Sequence, residues 1–222
     1  EKAPTRSAPI IVASANTDYS ANITSDQAGY TVEYINDSTT TGMVLTIDEH
    51  KHCLCGKADC NGGDGHSKQE TDFIPWTDAE ARSQYNNSSS KTASNSLPNT
   101  AGKYYLTKDV TLTGTWSPKD DTVLCLNGHS ITADGDVTAI YVSDITFTLC
   151  DCKGEGDAYG KITHAVGKTG SGVYVRGTGG FYMYGGSIAD NTIDNGGGVY
   201  VGGGTFTMSG NASITGNTAT TG

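Results

Sequence analysis

Two stretches decide how this chain is read: GSGVYVRGTGGFYMYGGSIADN (170–191) and NGGGVYVGGGTFTMSGNASITGN (195–217). SGVYV (171–175) matches GGVYV (197–201), FYM (181–183) matches FTM (206–208), and SIADNT (187–192) matches SITGNT (213–218), at offsets of 26, 25 and 26 residues. Fainter copies precede them: VLCLNGHSI (123–131), AIYV (139–142), FTLC (147–150) and KITH (161–164). A period in the twenties with about three short apolar beats per copy is the signature of coils stacked on one another. Within each beat, alternation sends Val173, Val175, Val199, Val201, Phe206 and Met208 to one face, and Tyr174, Tyr200 and Thr207 to the other. Three such strands per coil would enclose an apolar interior, each coil pairing with the next at about 4.8 Å. Glycine fits the corners, where the chain turns sharply or approaches its neighbour closely. Asn191 and Asn217 recur at one corner, as a ladder of stacked amides would require. The expectation is an all-β chain, with a right-handed parallel β-helix of three-strand coils over 96–222. The final TGNTATTG (215–222) falls where a further copy would begin, so the array is expected to be a piece of a longer one.

Residues 1–95 lack this pattern and read as an N-terminal cap and linker region. TVEYI (31–35) and MVLTI (43–47) suit a pair of strands joined by NDSTTTG (36–42). FIPW (73–76) is a compact apolar plug, and TDAEARSQYNNSSSKTASNS (77–96) can begin as a short helix and then reads as a loop or linker. A length of 222 residues suits one large or two small domains. The formal charge of −10, with no run of Lys or Arg, speaks against nucleic acid or an anionic membrane as partner. No apolar stretch reaches the roughly 18 residues of a membrane span.

Between these parts lies EHKHCLCGKADCNGGDGH (49–66), where His52, Cys55, Cys60 and His66 are spaced H-x2-C-x4-C-x5-H. Zinc takes four thiolate and imidazole ligands tetrahedrally, and short loops let one segment wrap one ion. The GGDG turn (62–65) would return His66 to the site, and so polar a loop would draw its folding energy from the metal. His50 and Cys53 are rival ligands, and a Cys53–Cys60 disulfide or free thiols are the alternatives. With four protein ligands such a zinc would be structural. Of the other cysteines, Cys125 faces outward with Leu124 and Leu126 inward. Cys150 also faces outward, read as two positions further along its strand. Two positions are about 6.6 Å along the strand and the next coil about 4.8 Å away, so the Cα atoms would lie roughly 8 Å apart. That exceeds disulfide reach and favours free thiols.

HKHCLCG (50–56), SLPNTAGKYYLTKDVTL (96–112), LCLNGHSI (124–131), FTLCDC (147–152) and the two VYV/SI repeats occur in an order that resembles one family. These are large secreted parallel β-helix proteins, the modular surface proteins and adhesins of gut-dwelling Gram-positive bacteria. The resemblance covers roughly 43–222, and the connection at 77–95 departs from the shorter one expected. It implies an extracellular, secreted or wall-attached protein. It also favours His52 and Cys55 as ligands, since the pattern keeps a His ahead of the CG cysteine.

The β-helix is also the fold of polysaccharide lyases and hydrolases, whose chemistry needs paired carboxylates or a basic catalyst in a groove. Asp134, Asp136, Asp144, Asp151, Asp190 and Asp194 sit mostly at corners, where turn-forming aspartates belong. Arg176 is the only arginine of the repeats, and His129 and His164 have no nucleophile to serve. The chain is therefore expected not to be an enzyme. Tyr141, Tyr174 and Tyr200 fall mid-strand in successive coils and form a column if register holds, joined on the next face by Tyr182 and Tyr184. Such rings either stack on sugars and partner proteins or simply brace one another. The expected partner is a host surface protein (mucin, matrix or immunoglobulin) or a glycan, and the alternatives are a carbohydrate-active enzyme and a passive stalk.

Overall fold

The computed structural model describes residues 30–36, 41–47, 50–54, 71–153 and 159–221, with 30–36, 41–47 and Thr71 described by backbone alone. Two compact units divide the chain, Glu1–His50 and Lys51–Gly222. In the first, β1 (Tyr30–Asn36) and β2 (Thr41–Ile47) pair antiparallel, with Tyr30 opposite Ile47 and Asn36 opposite Thr41. This is the strand pair expected from the two apolar runs.

The second unit opens with a short antiparallel pair, β3 (Lys51–His52) and β4 (Thr71–Asp72). β5 (Ile74–Trp76) and helix α1 (Asp78–Gln84) follow. Thr77 caps the helix by accepting the Glu80 N–H, and Asp78 and Glu80 place negative charge in its first turn. Then come β6 (Lys103–Leu106), β7 (Val110–Leu112), β8 (Thr122–Cys125), β9 (Ile131–Ala133), β10 (Ile140–Ser143), β11 (Thr146–Cys150) and β12 (Lys161–His164). β13 (Val173–Arg176), β14 (Gly180–Met183), β15 (Ser187–Ala189) and β16 (Thr192–Ile193) form the next group, and β17 (Val199–Val201), β18 (Thr205–Met208), β19 (Ser213–Thr215) and β20 (Thr218–Ala219) the last.

All of these later strands pair in parallel. One sheet runs β5-β6-β8-β11-β14-β18, a second β7-β9-β12-β15-β19 and a third β10-β13-β17, with β16 and β20 forming a small pair. From Ile140 onward the chain visits the third, first and second sheets in turn and then starts again. Equivalent residues of the two glycine-rich stretches meet: Val173 pairs with Val199, Phe181 with Phe206 and Ile188 with Ile214. The described residues are mostly β, and the sheets from β5 onward are parallel, as the repeat requires.

The main core lies on the face that the alternation assigns to apolar residues. Phe147, Phe181 and Phe206 stack face to face at centroid separations of 5.6 and 5.2 Å, and Trp116 meets Phe147 edge-on at 5.3 Å. At the first strands, Trp76, Ala81 and Leu97 are buried in the same cluster. Trp76 and Trp116 donate their indole N–H to the carbonyls of Ser96 and Pro98, so SLP (96–98) is held by two satisfied buried donors. Gly204 shows what the glycine runs do. Its φ is +77°, and a Cβ there would strike the Gly179 carbonyl of the neighbouring turn. Asn191 and Asn217 form the expected ladder, Asn191 donating to the Asn217 side chain at 2.9 Å.

Candidate metal centre and the tyrosine row

Along β8 and β11 the alternation exposes a second face. Leu124, Phe147 and Leu149 enter the main core, whereas Val123, Cys125 and Cys150 join a separate buried cluster with Phe73, Tyr105 and Tyr184. Leu54 packs against this outer cluster, and His52 stacks on Phe73 at 4.3 Å. The residues flanking β3 and β4 therefore cover the outside of the sheet where the cysteines emerge.

Here the ligand atoms of His50, His52, Cys125 and Cys152 all lie within 4.8 Å of one another. Three of the four belong to the unit Lys51–Gly222, and His50 is bonded to its first residue. This group could hold a metal ion. The His52 Nε2 lies 3.2 Å from the Cys125 Sγ. A tetrahedral ion with bonds of about 2.0 Å to N and 2.3 Å to S separates its ligands by roughly 3.3–3.8 Å, and the His52–Cys125 pair lies close to that range. On the other side of the ring, Nδ1 lies 2.6 Å from the Cys53 carbonyl. A carbonyl only accepts, so Nδ1 carries the proton and Nε2 keeps its lone pair toward the thiol, the arrangement of a metal-ligating histidine.

Neighbouring groups fix the cysteines. Cys152 donates to the Asn127 Oδ1, and Asn127 in turn donates to the Leu106 carbonyl. Asp151, almost wholly buried, accepts the N–H groups of Gly128, Lys153 and Gly160 at 3.0, 3.0 and 2.7 Å, which locks the corner next to Cys152. Burial raises the Asp151 carboxyl pKa, and these three N–H groups oppose the rise. Burial likewise pushes the Cys125 thiol well up, reinforced by the Cys150 thiol and opposed by that of Cys152. A bound cation would offset that cost by stabilising the thiolate.

Of the ligands expected from spacing, the structure brings His52 and its rival His50 into the group. Cys55, Cys60 and His66 lie outside the described residues. Cys53 is buried beside the site and contributes its carbonyl. Sequence spacing missed Cys125 and Cys152, because the loop and the sheet meet across 73 residues of chain between His52 and Cys125. One register expectation is corrected: Cys150 is the direct partner of Cys125, not two positions further along. Matching FTLC to FYMY already contains this answer, since Leu149 pairs with Met183 as it does with Leu124. The distance argument against a Cys125–Cys150 bond therefore falls. No disulfide joins any two of Cys53, Cys125, Cys150 and Cys152.

The tyrosine row has the expected register. Tyr141 pairs with Tyr174 and Tyr174 with Tyr200, with ring centroids 5.4 and 4.9 Å apart. Tyr141 and Tyr174 are half-buried and Tyr200 is exposed. Gly202 leaves room for Tyr174, since a Cβ there would come within 2.9 Å of its ring. Arg176 extends from the same face, with the Tyr141 hydroxyl as its first electrostatic neighbour. On the next sheet Tyr182 is half-buried, but Tyr184 does not join an exposed row: it is buried against Cys150 in the outer cluster. It shares that buried cluster with Phe73, more than a hundred residues away in the sequence, a grouping that strand alternation does not reveal.

The aspartates serve corners. Asp136 and Asp144 accept the N–H groups of Thr169 and Thr178, Asp194 accepts the Thr220 hydroxyl, and Asp190 pairs with Lys161 at 3.5 Å. Both ring nitrogens of His164 are bonded, to Asn191 and to the Val137 carbonyl, and His129 contacts Asp109.

No family model matches the chain, and comparison with curated proteins and with solved structures likewise finds no match.

Proposed function

We propose that this chain is part of a right-handed parallel β-helix that acts as a secreted or surface-displayed, adhesin-like binding module of a gut-dwelling Gram-positive bacterium. Its ligand is a host surface protein or a glycan. The observation that carries the reading is the outward row Tyr141, Tyr174 and Tyr200, repeated in register on three successive parallel strands. Tyr174, flanked by a strand on each side, still keeps part of its surface open to solvent, where a contact with a ligand can be made. Repetition on a rigid frame suits weak contacts made many times over. The corner roles of the aspartates and the bonded ring of His164 argue against a carbohydrate-active enzyme. The resident ion in this reading is structural zinc, held by His52, Cys125 and Cys152 with His50, a donor set of two imidazoles and two thiolates typical of closed zinc sites.

Binding of the intact chain to immobilised mucin, matrix proteins, immunoglobulin and a glycan array tests the proposal. Saturable binding that falls at least about tenfold in a Tyr141→Ala/Tyr174→Ala/Tyr200→Ala variant is the expected result, each lost aromatic contact being worth about 0.5–1.5 kcal/mol. Survival of binding after deglycosylation assigns a protein ligand, and its loss assigns a glycan. Absence of binding to every probe, or undiminished binding by the variant, overturns the module reading in favour of a passive stalk or another surface.

A further inference from the structure

Cys125 stands in two relations at once. It belongs to the metal-holding group with His52 and Cys152, and it is the direct Cα partner of Cys150 on the adjacent parallel strand. Parallel neighbours lie about 4.8 Å apart, inside the Cα range that disulfides span. The β8–β11 ladder fixes that spacing from within the sheet. Cys152, by contrast, lies beyond the end of β11, held at its corner by the bond to Asn127. Both Cys125 and Cys150 are fully buried, and the cover over them includes Leu54 and Phe73, the neighbours of β3 and β4. His52, in β3, is itself a member of the group, so an ion bound there would tie this cover down.

We propose that Cys125 and Cys150 form an oxidation site that competes with the metal ion for the Cys125 sulfur. This inference rests on the zinc reading above. With the ion bound, the Cys125 sulfur is coordinated and the segment around His52 stays closed over the pair. With the ion removed, the cover loosens and a peroxide oxidises the two thiols to a disulfide. The step balances as two thiols plus hydrogen peroxide giving one S–S bond and two waters. Each sulfur is oxidised by one electron, the peroxide O–O bond breaks, and the two thiol protons go to its oxygens. Once the S–S bond has formed, Cys125 no longer offers a thiolate, and zinc is excluded until a thiol reductant reopens it.

The test compares the intact chain as zinc-loaded and chelator-stripped protein, each exposed to hydrogen peroxide, with zinc read by elemental analysis and cross-links by peptide mass mapping. The stripped protein is expected to form the Cys125–Cys150 bond on the order of tenfold faster than the loaded one, and then to fail to rebind zinc until reduced. A Cys150→Ser variant, whose substitution spares all four ligands, is expected to bind zinc normally and to yield no such bond. A Cys125–Cys152 bond in its place, no cross-link at all in the stripped protein, or equal rates in both forms overturns the proposal. Failure of the zinc reading gives a different result: the chain takes up no zinc before any oxidant is added.

Discussion

The two faces of the sheet β5-β6-β8-β11-β14-β18 are built in different ways. The inner face repeats: Phe147, Phe181 and Phe206 follow one another at one level, and Leu124, Leu149 and Met183 at the next. The outer face keeps no single residue type along its row, which reads Tyr105, Cys125, Cys150 and Tyr184 in succession, and it is closed by residues from outside the repeat. Parallel strands need matching partners only where they share a core, so the outer row can differ from strand to strand without cost to the sheet. Chemistry therefore collects where the repetition lapses. The thiols and imidazoles meet on the outer face, while the inner one carries only packing.

The largest effect that would separate the faces comes from paired substitutions at adjacent positions of β14. Phe181→Ala removes a fully buried ring stacked on two others and is expected to cost about 3–5 kcal/mol of unfolding free energy. Tyr182→Ala, one residue on but facing outward and half-buried, is expected to cost under about 1 kcal/mol. Denaturant unfolding of both variants measures the difference. Equal losses would mean that the outer layer bears as much of the stability as the inner core.

The same contrast explains what was legible in the sequence. The inner face announces itself through period, because every turn must place an apolar residue at the same level. The parallel pairing, the register of Val173 with Val199 and the Asn191–Asn217 ladder all follow from it. The outer face obeys no period. That His52 would reach Cys125 depends on how the 50–54 and 71–73 segments lie on the sheet, and nothing in the local spacing encodes that contact. The burial of Tyr184 was hidden for the same reason. The level of Cys150 was legible but misread, since the repeat that aligns Phe147 with Phe181 also sets Cys150 beside Cys125.

A polar position that lies inside the repeat gives a finer test. Asn191 is fully buried, donates to the Ile162 carbonyl and to Asn217, and places its Oδ1 2.6 Å from the His164 Nδ1. Asn191→Ala leaves the Ile162 carbonyl and the His164 ring short of a partner, at an expected cost of about 1–3 kcal/mol. Asn217, in the last and less buried turn, makes equivalent bonds to the Ile188 and Thr215 carbonyls. Its replacement by Ala is expected to cost less, since water can take over those bonds. Thermal unfolding of the two variants checks the order. A reversed order would mean that the ladder is anchored from its exposed end.

The smallest effect concerns the acid limb of stability, and it separates the helical end of the inner core from the outer cluster. The Asp78 carboxylate accepts the Ala93 N–H at 2.9 Å and a bond from Lys108 at 3.3 Å. The Ala93 N–H is the main cause that holds its pKa below the ordinary 3.8, with Lys108 assisting and burial opposing. A carboxyl depressed on folding stabilises the fold above its unfolded pKa, and that contribution fades as pH falls through the lower folded value. Asp78→Asn is therefore expected to flatten the fall in stability below about pH 4 while leaving its shape near neutrality unchanged. The side chain is 40% exposed, so solvent screening keeps the difference under about 1 kcal/mol. Measuring it in chelator-stripped protein removes the ion's own pH dependence. If the acid limb is then identical in the variant, the bond to Ala93 does not bear on folding, and acid sensitivity must come from other carboxylates lowered on folding, with Asp144, held down first by the Thr178 N–H, the one to examine next.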